Sequence, residues 1–415
     1  MNYMKTFTAA LVAAIQCLVA ISAEPGKTDG ESRACPLVFI NSTFENASPL
    51  FWEINKVGEV EVSLMYDHER SSPNRAAGHW HFRVEAPKGS ELTLILGNLQ
   101  NIYNGHKGSP ASKNTMSFVS ADSRSWQPAQ MELLEGDRLK LKLKMLGNSM
   151  YVARLEPYRL SDLDKFLQAI RPHPRVTITE IGRTVEGRPL EIVRIGDEDA
   201  PRRILLRARA HPWEPGGNWV IEGLARRLLK DDLQSKAYLE RYCVFFMPMA
   251  NKDGVARGWT RFNVLGKDLN RNWDVKSDPH LCPENYALET WIEKQIAAGR
   301  RPDFMIDWHN DQGGRVHISR PNIDLKAYLA KMKRFETLLR QHTWFTEGAT
   351  GGNYRNPGSI GEGLLERYGI HACIHELNAN RIAGLDDYPS AKNWKLYGEQ
   401  LCEVFYRLFE KEKTD

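Results

Sequence analysis

The sequence predicts an α/β domain whose sheet is covered by helices on both faces, preceded by an antiparallel β-sandwich. Up to about Glu156 apolar residues alternate with polar ones, whereas from about Tyr158 they form continuous runs separated by segments with helical spacing. Alternation is typical of strands with one face in water, and continuous runs are typical of strands buried on both faces. A chain of 415 residues has room for two such units.

The composition excludes several classes of protein. Hydrophobic residues make up 42% of the chain and charged residues 26%, as in ordinary globular proteins and unlike disordered, collagen-like or polytopic membrane chains. The 56 Lys and Arg residues against 52 Asp and Glu residues give a net charge of only +4. Because the basic residues are scattered, we expect no nucleic-acid partner.

The first 23 residues are typical of a secretory signal peptide. Lys5 precedes an apolar stretch, and small residues ending at Ala23 stand just before Glu24. The stretch is too short for a comfortable transmembrane helix. We therefore expect residues 1–23 to be removed, the mature chain to be free of the membrane, and its location to be periplasmic or secreted.

The next two segments predict a flexible leader over residues 24–35 and the β-sandwich domain over residues 36–158. The leader is polar and rich in turn-forming residues. The alternation is clearest in two segments: Trp80, Phe82 and Val84 with His81, Arg83 and Glu85 between them, and Leu139, Leu141 and Leu143 with lysines between them. No catalytic candidate stands out in this domain.

Residues 159–415 carry the pattern of the α/β domain. Four apolar runs predict buried strands, at 204–206, 244–247, 304–306 and 372–374. Two segments have apolar residues three and four positions apart and predict helices: Val220, Leu224 and Leu228, and Leu288, Trp291, Ile292 and Ile296.

Metal-type and acid–base residues follow three of these four runs. His211 and Glu214 follow the first run, His309 follows the third, and Glu376 follows the fourth. Ligands bind beyond the carboxyl ends of the strands in such sheets, so we expect these side chains to converge. Two histidines and a glutamate are a standard ligand set for catalytic zinc, with a fourth position left open. The sequence therefore predicts a zinc site.

A second distinctive block lies between these residues and carries a family resemblance. It consists of Asn251-Lys252-Asp253-Gly254-Val255, Arg261, and Gly266-Lys267-Asp268-Leu269-Asn270-Arg271-Asn272-Trp273. Together with His211-Pro212-Trp213-Glu214, it resembles the zinc carboxypeptidase superfamily, the carboxypeptidase A-like metallocarboxypeptidases, over about residues 160–400. The segments 151–158, 161–163 and 182–190 resemble the cytosolic-carboxypeptidase-like subfamily, whose members carry an N-terminal β-sandwich domain. The resemblance implies a mixed sheet flanked by helices, the zinc carboxypeptidase fold.

The resemblance also implies a catalytic apparatus. His211, Glu214 and His309 would hold one Zn²⁺ per chain. Glu376 would be the general base that activates the water at the zinc and later protonates the leaving amine. Arg261 would stabilise the oxyanion that forms as the scissile carbonyl becomes tetrahedral.

The substrate-binding residues follow from the same resemblance. Asn270 and Arg271 would grip the terminal carboxylate, which a guanidinium can hold with two parallel hydrogen bonds. Tyr354 would close over the bound C-terminus from a glycine-rich loop. Ile360 would form the base of the pocket for the terminal side chain and favour apolar residues.

The preference for the terminal residue stays open at this point. Arg315, Arg355 and Arg381 are near the relevant loops in the sequence, and any of them would favour an acidic residue if it reached the pocket. Residues 377–379, Leu-Asn-Ala, depart from the cytosolic subfamily, which weakens any transfer of a glutamate-removing activity.

The sequence supports one leading function and two alternatives. The leading hypothesis is a zinc metallocarboxypeptidase that hydrolyses the C-terminal peptide bond of peptides or proteins. One alternative is a zinc amidohydrolase acting on cell-wall peptides with D- or γ-linked residues. The other is a non-catalytic protein that binds its partner through the β-sandwich. Nothing in the sequence indicates the oligomeric state.

Overall fold

The computed structural model of the chain describes residues 35–68, 74–103 and 105–410. The predicted signal peptide and all but the last residue of the predicted leader lie outside the described residues. No helix within these ranges combines the length and the apolarity that crossing a bilayer demands.

The first half is built from short strands in two five-stranded sheets and one small four-stranded sheet. In spatial order the large sheets are β1-β6-β14-β10-β11 and β12-β13-β7-β3-β2, and the small sheet is β4-β5-β8-β9. The strands are β1 (Phe39–Asn41), β2 (Leu50–Ile54), β3 (Val60–Leu64), β4 (Asp67–His68), β5 (Arg75–Ala76), β6 (His81–Glu85), β7 (Glu91–Gly97), β8 (Asn101–Tyr103), β9 (His106–Gly108), β10 (Met116–Ser120), β11 (Gln127–Gln130), β12 (Glu132–Leu134), β13 (Arg138–Lys144) and β14 (Ser149–Ala153).

The predicted antiparallel sandwich is confirmed with two local differences. β3 and β7 pair in parallel, which is possible because the long connection between them runs through β4, β5 and β6. His81 is fully buried, although the alternation predicts an exposed face for it. Its ring contacts Phe44 and Trp126 and lies 3.3 Å from the Asn46 side-chain oxygen, so residues of the sandwich half itself cover this face.

The second half is a seven-stranded mixed sheet flanked by helices, with the spatial order β15-β16-β18-β17-β19-β21-β20. Its strands are β15 (Val176–Arg183), β16 (Pro189–Ile195), β17 (Arg202–Ala208), β18 (Tyr242–Met247), β19 (Phe304–Asp311), β20 (Val316–Ile318) and β21 (His371–Asn378). Its helices are α1 (Leu160–Ile170), α2 (Gly216–Leu228), α3 (Leu233–Arg241), α4 (Lys252–Ala256), α5 (Pro283–Ala297), α6 (Lys326–His342), α7 (Ile360–Tyr368) and α8 (Ala391–Leu408), with a short 3₁₀ turn at Ala383–Leu385.

The four apolar runs form buried strands at the centre of this sheet, as predicted, and these strands run parallel to one another. β17 pairs in parallel with β18 and β19, and β19 pairs in parallel with β21. Successive residues of one strand enter different cores: Ile204 and Leu206 pack with α2, α6 and α8, whereas Leu205 packs with α5 and α7. Because these four strands run parallel, their carboxyl ends lie at one edge of the sheet, where the metal-type residues lie.

Candidate metal centre and active site

Three metal-type side chains converge at the carboxyl ends of β17 and β19. His211 Nδ1 lies 2.9 Å from Glu214 Oε1 and 3.1 Å from His309 Nδ1. His309 Nδ1 lies 2.8 Å from Glu214 Oε2. All three side chains are buried, and each offers one ligand atom to a common centre. The structure thus brings together the three residues that the sequence predicts as zinc ligands.

A tight turn after β17 brings His211 and Glu214 beside His309. Arg209 has a positive φ of 63°, and its guanidinium donates to the Pro212 carbonyl at 2.7 Å. The helix α2 then begins directly after this turn. A Cβ at Gly217 would lie 2.3 Å from Cβ of Trp308 on β19, so only glycine permits this close approach of α2 and β19.

The second ring nitrogen of each histidine faces a carboxylate. His211 Nε2 lies 3.1 Å from Asp268 Oδ1, and His309 Nε2 lies 2.7 Å from Asp307 Oδ2. A histidine that binds a metal through one nitrogen typically donates its other N–H to such a partner, which fixes the ring orientation and its tautomer. Both histidines therefore have the support that metal ligands need.

The donor set fits zinc in chemistry and in spacing. Tetrahedral zinc with bonds of about 2.0–2.2 Å separates two ligand atoms by about 3.3–3.5 Å. The observed distances between the two histidine Nδ1 atoms, and from each of them to a Glu214 oxygen, are between 2.8 and 3.1 Å. The ligand atoms therefore need to move apart only slightly to hold zinc. Burial raises the pKa of Glu214, but the attraction and hydrogen bonds of the two imidazoles outweigh it and lower that pKa to about 2. The carboxylate is ionised, as a metal ligand must be.

Glu376 stands at the end of β21, directly opposite His309 in the strand register. Its Oε2 is buried and has no hydrogen-bond partner among the described residues. Burial raises the pKa of this carboxyl well above its ordinary value, and the neighbouring Asp311 carboxylate raises it further. The carboxyl therefore has an uncommitted oxygen beside the metal ligands, as a general base requires.

Arg261 reaches the same space from the loop that follows α4. Its Nε and Nη2 lie 2.8 and 2.7 Å from Asp268 Oδ2. Its guanidinium also lies over the ring of Tyr103, 4.9 Å from the ring centroid. The charge is held in place by a carboxylate and an aromatic face, with donors left over for a substrate oxygen.

Asn270 and Arg271 form the wall beside Arg261. Asn270 is buried, and its side-chain oxygen accepts the Ile360 N–H at 3.1 Å. That bond commits the oxygen and leaves the amide N–H₂ as the group available to an acceptor. Arg271 is half-buried and donates to the Asn270 carbonyl at 2.7 Å. Both residues therefore present donors, the groups that a carboxylate needs.

Tyr354 also lies at the site, and its hydroxyl is bonded to a residue that has no predicted role. Its hydroxyl oxygen is 2.7 Å from Nδ1 of His317 on β20. Burial raises the pKa of Tyr354 to about 12, with Glu376 as the next cause. Burial lowers the pKa of His317 to about 4. At neutral pH the pair is thus a neutral phenol hydrogen-bonded to a neutral imidazole.

Ile360 does not take the place predicted for it, and we revise that assignment. Its side chain is fully buried in the core with Leu190, Leu205 and Leu364. As the first residue of α7, it meets the site only through its backbone N–H. Burial in the apolar core stabilises an isoleucine side chain more than contact with a polar cavity does.

The three arginines considered for specificity also lie outside the cavity wall. Arg315 is exposed. Arg355 donates to the carbonyl oxygens of Gly352 and Tyr354. Arg381 is paired with Asp386.

A cavity of about 270 Å³ lies at the candidate active site, and both halves of the chain contribute to its wall. Its lining residues from the first half are Gly78, Asn101, Tyr103 and Pro110. Those from the second half are His211, Trp213, Glu214, Thr260, Arg261, Asn270, Arg271, Asn310, Asp311, His317, Tyr354, Asn356 and Glu376. The sandwich, in which the sequence offers no catalytic candidate, therefore contributes to the wall of the cavity.

Several residues of the site were not given roles from the sequence. Asp307 and Asp311 stand two residues before and two residues after His309 on β19. They therefore share its side of the strand, and the strand period of two could have indicated this. Asp268 stands inside the recognised block. His317 and Tyr103 have no local signal, because only the tertiary fold brings them to the cavity.

Family comparisons agree with this geometry. A family described as "Zinc carboxypeptidase" matches residues 163–312, and one described as "Cytosolic carboxypeptidase N-terminal domain" matches residues 40–155. An uncharacterized protein of Zymomonas mobilis is 28% identical over 272 residues, which are 64% of this chain and 67% of that protein. Mouse cytosolic carboxypeptidase 4 is 30% identical over 214 residues, 51% of this chain. The matched region is only 18% of the length of that mouse protein.

Solved structures share the fold over nearly the whole chain. A putative carboxypeptidase A from Shewanella denitrificans superposes with a TM-score of 0.78 at 22% identity, covering 90% of this chain and 99% of that chain. A metallo-carboxypeptidase from Pseudomonas aeruginosa, in complex with (2-guanidinoethylmercapto)succinic acid, has a TM-score of 0.75 at 21% identity, covering 89% and 99%. Both halves of the chain are therefore present in structures already solved.

Proposed function

We propose that the chain is a zinc peptidase of the zinc carboxypeptidase family, whose model matches residues 163–312, and that it removes single residues from the free C-termini of peptides or proteins. The observation that carries this proposal is the cavity itself. His211, Glu214 and Glu376 line it together with Asn270 and Arg271, and the third member of the triangle, His309, lies 3.5 Å from the Asn270 amide nitrogen.

The residues of this chain divide the reaction among them. His211, Glu214 and His309 would hold a zinc ion, which would supply Lewis acidity and lower the pKa of a bound water. Glu376 takes a proton from the attacking water and returns it to the leaving amine. The guanidinium of Arg261 donates to the carbonyl oxygen as negative charge develops there.

The donors of Asn270 and Arg271 make the proposed enzyme an exopeptidase. A guanidinium and an amide bind a carboxylate far better than they bind a neutral amide, because charge-assisted hydrogen bonds are about twice as strong. These donors line the same cavity of about 270 Å³ as His211, Glu214 and Glu376, so a peptide whose terminal carboxylate they hold presents the neighbouring peptide bond to these residues. Only the last peptide bond then reaches the general base.

We also propose that the chain is exported. The support is the sequence of residues 1–23, with its basic start, apolar stretch and small residues at the expected cleavage point. The N-terminal sequence of the protein recovered from cell fractions tests this. A mature N-terminus near Glu24 in the periplasm or medium is expected, and an intact Met1 in the cytosol would contradict it.

A peptide library tests the proposed reaction. The zinc-loaded protein is incubated with peptides of mixed sequence, half with free C-termini and half amidated, and mass spectrometry reads the products. Loss of single residues from free C-termini alone is expected, and the released residues give the side-chain preference. Internal cleavage, or equal cleavage of amidated peptides, would contradict the proposal. No cleavage with zinc bound would also contradict it and would direct the test to D- and γ-linked cell-wall peptides.

A further inference from the structure

We propose that Asp67, in the β-sandwich half, is a positioning residue for Arg261 and fixes the loop whose guanidinium meets the scissile carbonyl. This inference rests on the proposed function, because it takes Arg261 as the donor to the carbonyl oxygen. Asp67 is 193 to 195 residues away from its partners in sequence, and it acts through the backbone of the loop.

The loop that carries Arg261 has no regular structure to hold it. Residues 257–270, which follow α4, form neither helix nor strand. Thr260 and Phe262 are nevertheless buried. Buried backbone N–H groups need acceptors. The N–H groups of Trp259 and Asn263, on either side, bond to the backbone carbonyls of Gly254 and Lys267, whereas those of residues 260–262 bond to a side chain.

Asp67 supplies all of these acceptors. Its Oδ2 accepts the N–H of Arg261 at 2.6 Å and that of Phe262 at 2.8 Å, and its Oδ1 accepts the N–H of Thr260 at 3.2 Å. The Asp67 side chain is itself buried. One carboxylate from the sandwich half therefore fixes three successive amides of the catalytic half.

The remaining atoms of the loop are tied to other groups. The Phe262 carbonyl accepts the Asn251 side-chain amide at 3.1 Å, and the Arg261 guanidinium is held by Asp268. Thr260 Oγ1 accepts the N–H groups of Gly78 and His79 at 3.0 and 3.2 Å. The amides of residues 260–262 are thus the part of the loop whose position depends on Asp67.

The same small sheet also supports the side chain of Arg261. Asp67 lies on β4 and Tyr103 on β8, both in the four-stranded sheet. The Tyr103 ring lies under the guanidinium, and its hydroxyl accepts the Asn101 amide at 2.7 Å. Asn101 Oδ1 in turn accepts the Ala77 N–H at 2.7 Å. Backbone and side chain of Arg261 are both positioned by this one sheet.

A positioning role differs from simple domain adhesion in its kinetics. A donor that meets the developing oxyanion acts on the transition state, so its displacement lowers kcat and leaves KM nearly unchanged. A displacement of about 1 Å in a catalytic group can cost about 10²-fold in rate. Loss of adhesion alone lowers stability and leaves kcat as it is.

The test is a double-mutant cycle between Asp67→Asn and Arg261→Ala on the zinc-loaded full chain. Asparagine keeps the shape but offers only one acceptor oxygen. We expect Asp67→Asn to lower kcat by about 10-fold or more, with KM and zinc content unchanged. In the Arg261→Ala background, Asp67→Asn should lower kcat almost no further. Amide hydrogen exchange over residues 260–262 should increase in Asp67→Asn.

Glu45→Gln is the matched control, because Glu45 also accepts a backbone N–H across the two halves, from Ser161 at 2.9 Å. It should leave kcat and the exchange of residues 260–262 unchanged. If Asp67→Asn fails to fold, Tyr103→Leu takes its place in the cycle. It should lower kcat when Arg261 is present and lower it almost no further in the Arg261→Ala background. If Asp67→Asn lowered kcat by the same factor with and without Arg261, or left the hydrogen exchange of residues 260–262 unchanged, this inference alone would be overturned. A wild-type rate for Arg261→Ala would instead overturn the proposed role of Arg261 and the inference with it.

Discussion

Asp268 Oδ1 lies 3.1 Å from His211 Nε2, on the ring edge opposite the nitrogen that faces Glu214. The other oxygen of the same carboxylate accepts the Arg261 Nε–H at 2.8 Å. Burial raises the pKa of Asp268, but Arg261 and His211 outweigh it and hold that pKa well below its ordinary value. One ionised carboxylate therefore orients both a candidate zinc ligand and the candidate oxyanion donor.

The Asp268→Asn variant should bind zinc more weakly. An asparagine presents an N–H₂ group to one of two donors, so either His211 or Arg261 loses its acceptor. Loss of such an outer partner typically costs about 10–100-fold in metal affinity. Competition with a zinc-chelating dye measures the change. Asp386→Asn, which removes an exposed carboxylate paired with Arg381, should leave the zinc Kd unchanged, and an unchanged Kd for Asp268→Asn would refute the coupling.

The Glu376→Gln variant should keep zinc and lose turnover. Glutamine fills the same space but cannot accept the proton of the attacking water. We expect kcat to fall by about 10²–10⁴-fold, with a zinc content of one per chain by metal analysis. Glu366→Gln, on the exposed face of α7, is the control and should behave as wild type. Full turnover in Glu376→Gln would mean that another group is the base.

The Tyr354→Phe variant should raise KM for peptides with free C-termini. Phenylalanine keeps the ring but removes the hydroxyl that is bonded to His317 at 2.7 Å. The loss of one hydrogen bond contributes about 0.5–1.5 kcal/mol, which corresponds to about 2–10-fold in KM. Steady-state kinetics checks this, with Tyr286→Phe on α5 as the control. A fall in kcat at constant KM would assign Tyr354 to the chemistry instead of to binding.

The stability of the fold should decrease between about pH 4.5 and pH 7 through Glu284. Burial raises the pKa of Glu284 to about 7, so the folded chain binds a proton that the unfolded chain has released. Stability from this group is full below the unfolded pKa and is lost as the pH rises through the folded pKa. A shift of this size corresponds to the order of 3 kcal/mol.

Glu284→Gln removes this group's titration and keeps an acceptor for the Asn263 amide, which lies 3.2 Å from Glu284 Oε2. Urea unfolding at saturating zinc, at pH 5 and at pH 8, should show the variant gaining stability over wild type only at the higher pH. Glu240→Gln, an exposed position on α3, should show no such difference. A constant difference at both pH values would contradict the assignment.

The elements that the sequence predicts well are those with a strong local pattern. The four apolar runs become the parallel strands β17, β18, β19 and β21 because burial on both faces demands continuous apolar residues. The histidines and glutamates that follow them converge, since the carboxyl ends of parallel strands share one edge.

Contacts between the two halves are what the sequence does not predict. Tyr103 reaches the cavity, and Asp67 reaches the loop of Arg261, from a sheet whose strands are two or three residues long, and no periodicity marks them. Ile360 occupies a family position in sequence, but the start of α7 turns its side chain into the core. Position in a motif thus fixes the backbone more reliably than the direction of a side chain.

The most direct test of the proposed carboxypeptidase activity compares one peptide as its free acid and as its amide, in wild type and in Arg271→Ala. We predict that wild type hydrolyses the acid with a much higher kcat/KM. In Arg271→Ala this preference should fall by about 10–100-fold, because a charge-assisted hydrogen bond contributes about 1.5–3 kcal/mol. Arg381→Ala, at an exposed arginine outside the cavity, should keep the full preference. Equal rates for acid and amide in wild type would contradict the exopeptidase function.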